Sequence, residues 1–266
     1  MKKYAVIGDP IEHSLSPLLH RYIYKKIGIK AEYQRINVKP IKLEEFVLTN
    51  SLNGFNVTIP HKIHIINYLD EIDETAKILN SVNCIFNNKG YNTDWLGLKR
   101  ALHKNNLILE NKDCLILGSG GVSRSIIYAL IEENINTISI LNRNLTQKKE
   151  LEIWIHKLLP KNKPNNKPNV IINCTPVGMW PISDKIPFDL NIFSDDQLII
   201  DTIYNPYETQ FIKTAKKSGA KILNGLDMFI FQAIETVNIW LREDITEQLN
   251  FNNLKKELES QLCFQN

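Results

Sequence analysis

Residues 112–144 read KDCLILGSGGVSRSIIYALIEENINTISILNRN. A short apolar run, 114–117, enters a turn containing Gly118, Gly120 and Gly121. A segment of helical length follows, 122–133, and a second apolar run, 138–141, ends on Asn142, Arg143 and Asn144. Strand, glycine turn, helix and strand in that order form a βαβ unit able to hold a dinucleotide. The glycines let the backbone approach a pyrophosphate, and the helix N-terminus offers free N–H groups and partial positive charge to bind it. The third small position of the pattern is Ser123, which still permits close packing of helix on strand. A tight turn without a ligand satisfies the same glycine spacing, so the flanking residues have to decide.

At the end of the second strand of such a unit a carboxylate usually receives the ribose 2′-hydroxyl of NAD. Here that place holds Arg143 between two asparagines. A guanidinium there suits a bidentate, charge-assisted bond to a 2′-phosphate, which predicts NADP as the cofactor. The plainer alternative is a solvated arginine after a strand.

The whole chain has 266 residues, enough for one large domain or two moderate ones, and 43% of them are hydrophobic. A net charge of +3 with dispersed lysines gives no basic stripe for nucleic acid and no polybasic membrane anchor. The opening residues lack the apolar core of a signal peptide, and no apolar run approaches the ~18 residues of a membrane span. The cysteines, Cys84, Cys114, Cys174 and Cys263, lie far apart, as expected of reduced thiols in a cytoplasmic protein. His61 and His64 lack a third ligand, so no metal site is expected and both are read as surface or supporting residues.

From the N-terminus, residues 4–8 form a short buried strand, followed by His13-Ser14-Leu15-Ser16-Pro17. Ser16 suits an N-cap and Pro17 the first helical position, with the helix stopping at Gly28. Two hydroxyls at a helix N-terminus would suit a carboxylate ligand, although capping alone accounts for Ser16 and leaves Ser14 spare. Residues 32–38 alternate as a strand and 43–48 fit a short helix. In Gly54-Phe55-Asn56-Val57-Thr58-Ile59-Pro60-His61-Lys62 a strand runs into a helix expected to start at Pro60. Lys62 would then stand in the first turn, where the helix dipole disfavours a cation and should lower its pKa. A helix is expected over 65–79, a strand over 81–86, a turn at 87–90 and another helix from Trp95 to Lys104. Asp94 either caps that last helix or serves chemistry; the local sequence allows both. After Asn144 come a helix over 146–159, an irregular Pro- and Asn-rich loop at 160–168 and a buried strand ending in Asn173-Cys174-Thr175-Pro176. A strand over 198–201, a helix over 211–217, a strand over 220–223 and a long helix from about 225 to 241 complete the pattern, with a charged helical tail.

Taken in order, the motifs His13 to Pro17, Asn56 to Lys62, Asn83, Asn92 to Asp94, Gly118 to Gly121, Asn142-Arg143, Asn173 to Met179, Asp201 to Pro206 and Gly225 to Gln232 make the chain resemble the shikimate dehydrogenase family over about residues 1 to 240. The resemblance implies NADPH-dependent, reversible reduction of 3-dehydroshikimate to shikimate in aromatic amino-acid biosynthesis. It implies an α/β fold of two domains, a substrate domain over 1–103 and a doubly wound Rossmann-type NADP domain over 104–235. The segment 236–266 would return to the first domain. Lys62 and Asp94 would be the catalytic pair. Ser14, Ser16, Asn56, Thr58, Asn83, Tyr204 and Gln232 would hold the substrate, with the serines on its carboxylate. The cofactor would be held by Glu74, Gly118, Ser119, Gly120, Gly121, Val122, Asn142, Arg143, Asn144, Thr202, Gly225 and Met228. The expected partner is a small molecule, with the protein a monomer or homodimer. Three positions depart from the family pattern: His61 before the lysine, Trp95 after Asn92-Thr93-Asp94, and Asp227. Gln147 also stands where a second basic residue is usual, with Lys148 and Lys149 beside it.

Overall fold

The computed structural model describes residues 1–164, 167–188 and 193–263. The chain divides into two compact units, the first comprising 1–97 with 230–258 and the second 98–229 with 259–266. The first begins with β1 (Lys2–Gly8), α1 (Ser16–Lys26), β2 (Ala31–Asn37), α2 (Leu43–Thr49) and β3 (Gly54–Val57). It continues through β4 (Glu71–Ile72), α3 (Glu74–Leu79), β5 (Cys84–Phe86), β6 (Lys89–Tyr91) and the start of α4 (Asp94–Lys104). The second contains β7 (Asp113–Leu117), α5 (Ser123–Glu132), β8 (Thr137–Leu141), α6 (Leu145–Leu158), β9 (Val170–Asn173), β10 (Leu198–Asp201), α7 (Gln210–Lys217) and β11 (Lys221–Leu223). The unit boundaries fall inside α4, inside α8 (Gly225–Leu241) and inside α9 (Phe251–Cys263), rather than at element ends.

In the second unit the strands run in the order β11-β10-β9-β7-β8, all parallel. The apolar runs of 114–117, 138–141, 170–173 and 198–201 read as near-continuous hydrophobic strands because helices cover both faces of a parallel sheet. The strand order reverses at β7, so the crevice beyond the C-terminal ends of β7 and β9 is the place where such sheets bind ligands. Those two ends carry Gly118 and Cys174-Thr175. Gly118 has a φ of +97°, and a Cβ there would lie 2.6 Å from Thr175 Cγ2, so the turn demands glycine on both counts.

The first unit has a sheet of order β2-β1-β3-β5-β6-β4, with β1, β2 and β3 parallel and β5 antiparallel to both β3 and β6. Three helical expectations change here. Pro60 does not open a helix: His61 N–H closes a turn on the Thr58 carbonyl, and a 3-10 helix, His64–Tyr68, follows. Lys62 therefore stands in a turn, and the helix-dipole argument for its pKa does not apply. The expected helix over 65–79 is interrupted by β4, which pairs with β6, and α3 starts afresh where the Asp73 carboxylate accepts from Thr75 N–H. Ser16 is the first residue of α1, with Leu15 in the cap position and no side-chain cap bond. The reason is that Ser14 Oγ accepts the Ser16 N–H and donates to Ser16 Oγ at 3.1 Å, so the hydroxyls engage one another.

Cys84, Cys114 and Cys174 are buried free thiols. Burial pushes the Cys84 thiol up to about 12, which removes thiolate reactivity near neutral pH. The side chain of Cys263 and part of the loop expected over 160–168 lie outside the described residues. Among the described residues no group of His, Cys, Asp and Glu could hold a metal ion, and no helix is long and apolar enough to cross a membrane.

Trp240 on α8 binds the first unit's sheet from the other end of the sequence. It is 2% exposed, stacks on Tyr4 with ring centroids 4.3 Å apart, and donates Nε1–H to the Ile85 carbonyl at 3.0 Å. Truncating a buried Trp costs about 3–5 kcal/mol through lost transfer energy and the cavity left behind. Trp240→Ala is expected to lose that much unfolding free energy in urea titration, and Trp240→Phe about 1–3 kcal/mol, chiefly from the stranded carbonyl.

Candidate functional site

The first unit gathers its polar side chains at one end of β3 and β5. Lys62 leaves the turn after β3, and its backbone carbonyl accepts Val82 N–H at 2.8 Å, which pins the turn to the segment that carries Asn83 into β5. Lys62 Nζ lies 2.6 Å from Asp94 Oδ2, with side chains only 15% and 9% exposed. Asp94 opens α4, but its carboxylate does not cap the helix. Its Oδ1 accepts from Asn83 Nδ2 at 2.8 Å, while its backbone N–H is taken by Asn92 Oδ1 at 3.0 Å. The geometry therefore sets the capping role aside and places the Asp94 carboxylate in an ion pair with Lys62.

The pair is the end of a longer chain of hydrogen bonds. Asn83 Oδ1 accepts the Thr93 N–H at 2.7 Å, and its second amide proton goes to Thr93 Oγ1 at 3.0 Å. Thr93 Oγ1 meets Thr236 Oγ1 at 3.3 Å, and Thr236 accepts from Asn56 Nδ2 at 3.1 Å. Asn56 Nδ2 also donates to the Asn83 carbonyl at 3.0 Å, and Asn56 Oδ1 accepts from Tyr33 OH at 2.8 Å. Both N–H groups of Asn56 and both of Asn83 are thus committed to protein acceptors. In this arrangement the two asparagines hold Asp94 and the strand ends in place. Thr93 was quoted in a motif but given no role, and Thr236 and Tyr33 escaped sequence reasoning; only their β-branched or aromatic character marked them, and that signals packing rather than a site. Tyr33 is stacked in turn on His20 at 4.0 Å, whose burial lowers its pKa to about 3 and keeps it neutral.

His61 is buried, not a surface residue. Its Nε2 lies 2.6 Å from the Val38 carbonyl, which can only accept, so Nε2 carries the proton and the imidazole anchors the Lys62 turn. His64 is exposed. Thr58 follows β3, its N–H bonded to the Ile7 carbonyl at 2.9 Å. Gln232 belongs to the first unit and is partly buried, whereas Tyr204 belongs to the second, stacked on Phe229 at 4.1 Å. Glu74 opens α3 in the first unit, exposed and bonded to Lys77 at 3.0 Å.

In the second unit Gly118, Ser119, Gly120, Gly121 and Val122 join β7 to α5. No side chain caps α5. A Cβ on Gly121 would meet open space, and one on Gly120 nothing nearer than the Cys174 carbonyl at 3.8 Å. An uncapped ten-residue helix behind an open glycine turn fits the pyrophosphate of a dinucleotide. After β8, Asn142 Nδ2 donates to the Asn144 carbonyl at 2.9 Å, and Asn144 Oδ1 caps α6 through Gln147 N–H at 3.1 Å. Arg143 is left exposed between them, while Gln147 Oε1 accepts from Ser119 Oγ at 3.3 Å. Gly225 stands hard against Thr202: a Cβ there would lie 2.6 Å from the Thr202 carbonyl carbon. Met228 is buried on α8.

Asp201, fully buried at the end of β10, was quoted in a motif but given no role. It accepts from Thr209 Oγ1 at 2.6 Å, Asn173 Nδ2 at 3.0 Å and Ile203 N–H at 3.1 Å, tying the loop of Thr202 and Tyr204 to β9 and α7. Burial pushes its carboxyl up to about 6, opposed by the hydrogen bonds from Thr209, Ile203 and Asn173.

A doubly wound parallel unit with an open glycine turn, joined to a unit bearing a lysine–aspartate pair, defines the class of dinucleotide-dependent oxidoreductases. The model of the shikimate dehydrogenase substrate-binding domain matches residues 6–85. The shikimate dehydrogenase (NADP(+)) of Methanococcus maripaludis is 40% identical over 256 residues, covering 90% of this chain and 91% of its own. That of Staphylococcus aureus is 37% identical over 270 residues, covering 98% of both. A shikimate dehydrogenase solved in complex with NADP+ superposes with a TM-score of 0.89 at 34% identity, covering 98% of this chain and 96% of the other. This chain belongs to the shikimate dehydrogenase family.

The raised Asp201 carboxyl sets a pH dependence. Its folded pKa lies above the unfolded one, so the unfolded chain gives up this proton first as pH rises. The contribution to stability is full below about pH 4 and is lost as pH climbs through about 6. Urea unfolding between pH 4 and 7 should show this falling leg in the wild type, and Asp201→Asn should flatten it. An unchanged leg in Asp201→Asn would assign it to another group.

Proposed function

We propose that this chain catalyses the reversible NADPH-dependent reduction of 3-dehydroshikimate to shikimate, a step of aromatic amino-acid biosynthesis. The first unit serves as the substrate unit and the second as the cofactor unit. The observation that carries the reading is the 2.6 Å contact of Lys62 with Asp94, nearly buried and braced by Asn83. Family membership and relatives named for this activity support it.

The dinucleotide, when bound, supplies the hydride. Gly118 to Val122 would receive its pyrophosphate, Asn142 to Asn144 its adenosine end, with Arg143 on the 2′-phosphate, and Thr202, Gly225 and Met228 the remainder. What the chain itself contributes is the proton. Reduction of a ketone leaves a developing alkoxide, and the Lys62 ammonium protonates that oxygen. In the reverse direction the neutral amine takes the proton from the hydroxyl. Asp94 holds Nζ in one place, and its carboxylate also accepts from a substrate hydroxyl. Ser14 and Ser16 bind the substrate carboxylate, Thr58, Tyr204 and Gln232 its hydroxyls, while Asn56 and Asn83 act largely by fixing the frame. The enzyme acts on a small molecule in the cytoplasm, as a monomer or homodimer.

Acid–base help of this kind contributes ~10²–10⁴ in rate. Lys62→Ala is expected to lower kcat for shikimate oxidation by that factor with little change in KM; a large rise in KM at unchanged kcat would move Lys62 from chemistry to binding. Arg143→Gln is expected to raise KM for NADP about tenfold or more while leaving NAD unaffected, since only NADP carries the 2′-phosphate. A wild type that turns over shikimate better with NAD would overturn the cofactor assignment.

A further inference from the structure

Arg35 has no part in the scheme above, yet it is built into the carboxylate end of the first unit. Its Nε donates to the Ser14 backbone carbonyl at 2.8 Å. In the parallel sheet, Arg35 on β2 is in register with Val6 on β1, which is in register with Asn56 on β3. Residues in register on neighbouring strands point to the same face, so Arg35 shares the face of Asn56. Tyr33, two residues earlier, confirms that face by donating to Asn56 Oδ1. One further step along these strands brings Ile7 and Val57; the next residues are Gly8, beyond which lies the Ser14 loop, and Thr58. The guanidinium is therefore fixed by two independent constraints, the sheet register and the bond to Ser14.

A guanidinium carries five N–H donors in a rigid plane. One is used on Ser14; no carboxylate of the described residues forms an ion pair with the rest, and the side chain is exposed. Ser14 and Ser16 are neutral hydroxyls. They offer hydrogen bonds to a carboxylate but nothing to offset its charge as it leaves water.

We propose that Arg35 is a specificity-determining residue for the anionic substrate. It supplies the positive charge at the Ser14–Ser16 carboxylate site, and it fixes the loop that carries Ser14. This rests on the reading that the substrate's carboxylate binds the two serines. The charge attracts the carboxylate from solvent and favours the acid over a neutral analogue of equal shape. Because the guanidinium is exposed, its effect is screened by salt.

The test compares wild type, Arg35→Gln, Arg35→Lys and the surface control Lys30→Gln on shikimate and on shikimate methyl ester, at low and high ionic strength. Arg35→Gln should raise KM for shikimate about three- to tenfold at low salt with kcat within twofold. The rise should shrink at high salt and be absent for the methyl ester. Arg35→Lys should recover part of it, and Lys30→Gln should match the wild type. Equal KM in wild type and Arg35→Gln overturns the proposal, as does an equal rise for acid and ester, which would reduce Arg35 to a loop tether. Titration calorimetry of shikimate into wild type and Arg35→Gln reads the same difference without turnover. A wild type that binds shikimate but fails to oxidise it would therefore count against the proposed reaction, not against Arg35.

Discussion

The pairing of Lys62 with Asp94 is the constraint on which the first unit depends. Two opposite charges, both mostly withdrawn from water, are tolerated only while each has its partner and the remaining lone pairs are satisfied; removing one partner of such a pair typically costs about 3–5 kcal/mol. That requirement explains the chain of polar side chains behind it. Asn83 gives one amide proton to Asp94 and the other to Thr93, Thr93 meets Thr236, and Thr236 takes a proton from Asn56, whose oxygen is held by Tyr33. Every member is buried and bonded, so the carboxylate cannot swing away without breaking the series.

The second unit rests on backbone geometry instead. Gly118 lies in the left-handed region with Thr175 against it, and the Asp201 carboxylate ties β10 to the Asn173 side chain and the Thr209 cap of α7. These contacts shape the ends of β7, β9 and β10, where a parallel sheet presents its ligand site. Its polar side chains therefore serve the strand ends, and the open glycines leave the backbone of the turn uncovered by side chains.

Much of this was legible in the residues. The stretch 112–144 yields its strand, turn, helix and strand almost to the residue, because apolar runs and glycines report local conformation directly. Arg35, by contrast, looked like any charge on an alternating strand; only its register with Asn56 and its bond to Ser14 give it a place. Asp73 as a helix cap was overlooked inside a run of acidic residues, and the continuous apolar spacing around it suggested one long helix where the chain makes a 3-10 turn, a strand and a short helix.

By itself the sequence determined the elements that depend on neighbours within a few positions: the parallel βαβ unit, the glycine turn, the buried strands and the family to which their order belongs. The tertiary structure alone decided which polar groups meet. Lys62 and Asp94 are 32 positions apart, and Asn56 and Thr236 are 180 apart. Such pairings are set by sheet register and by the return of α8 to the first unit's sheet, and no local propensity encodes them. The lysine that looked misplaced at a helix start stands in a turn, and the aspartate opposite gives the physical reason for its position.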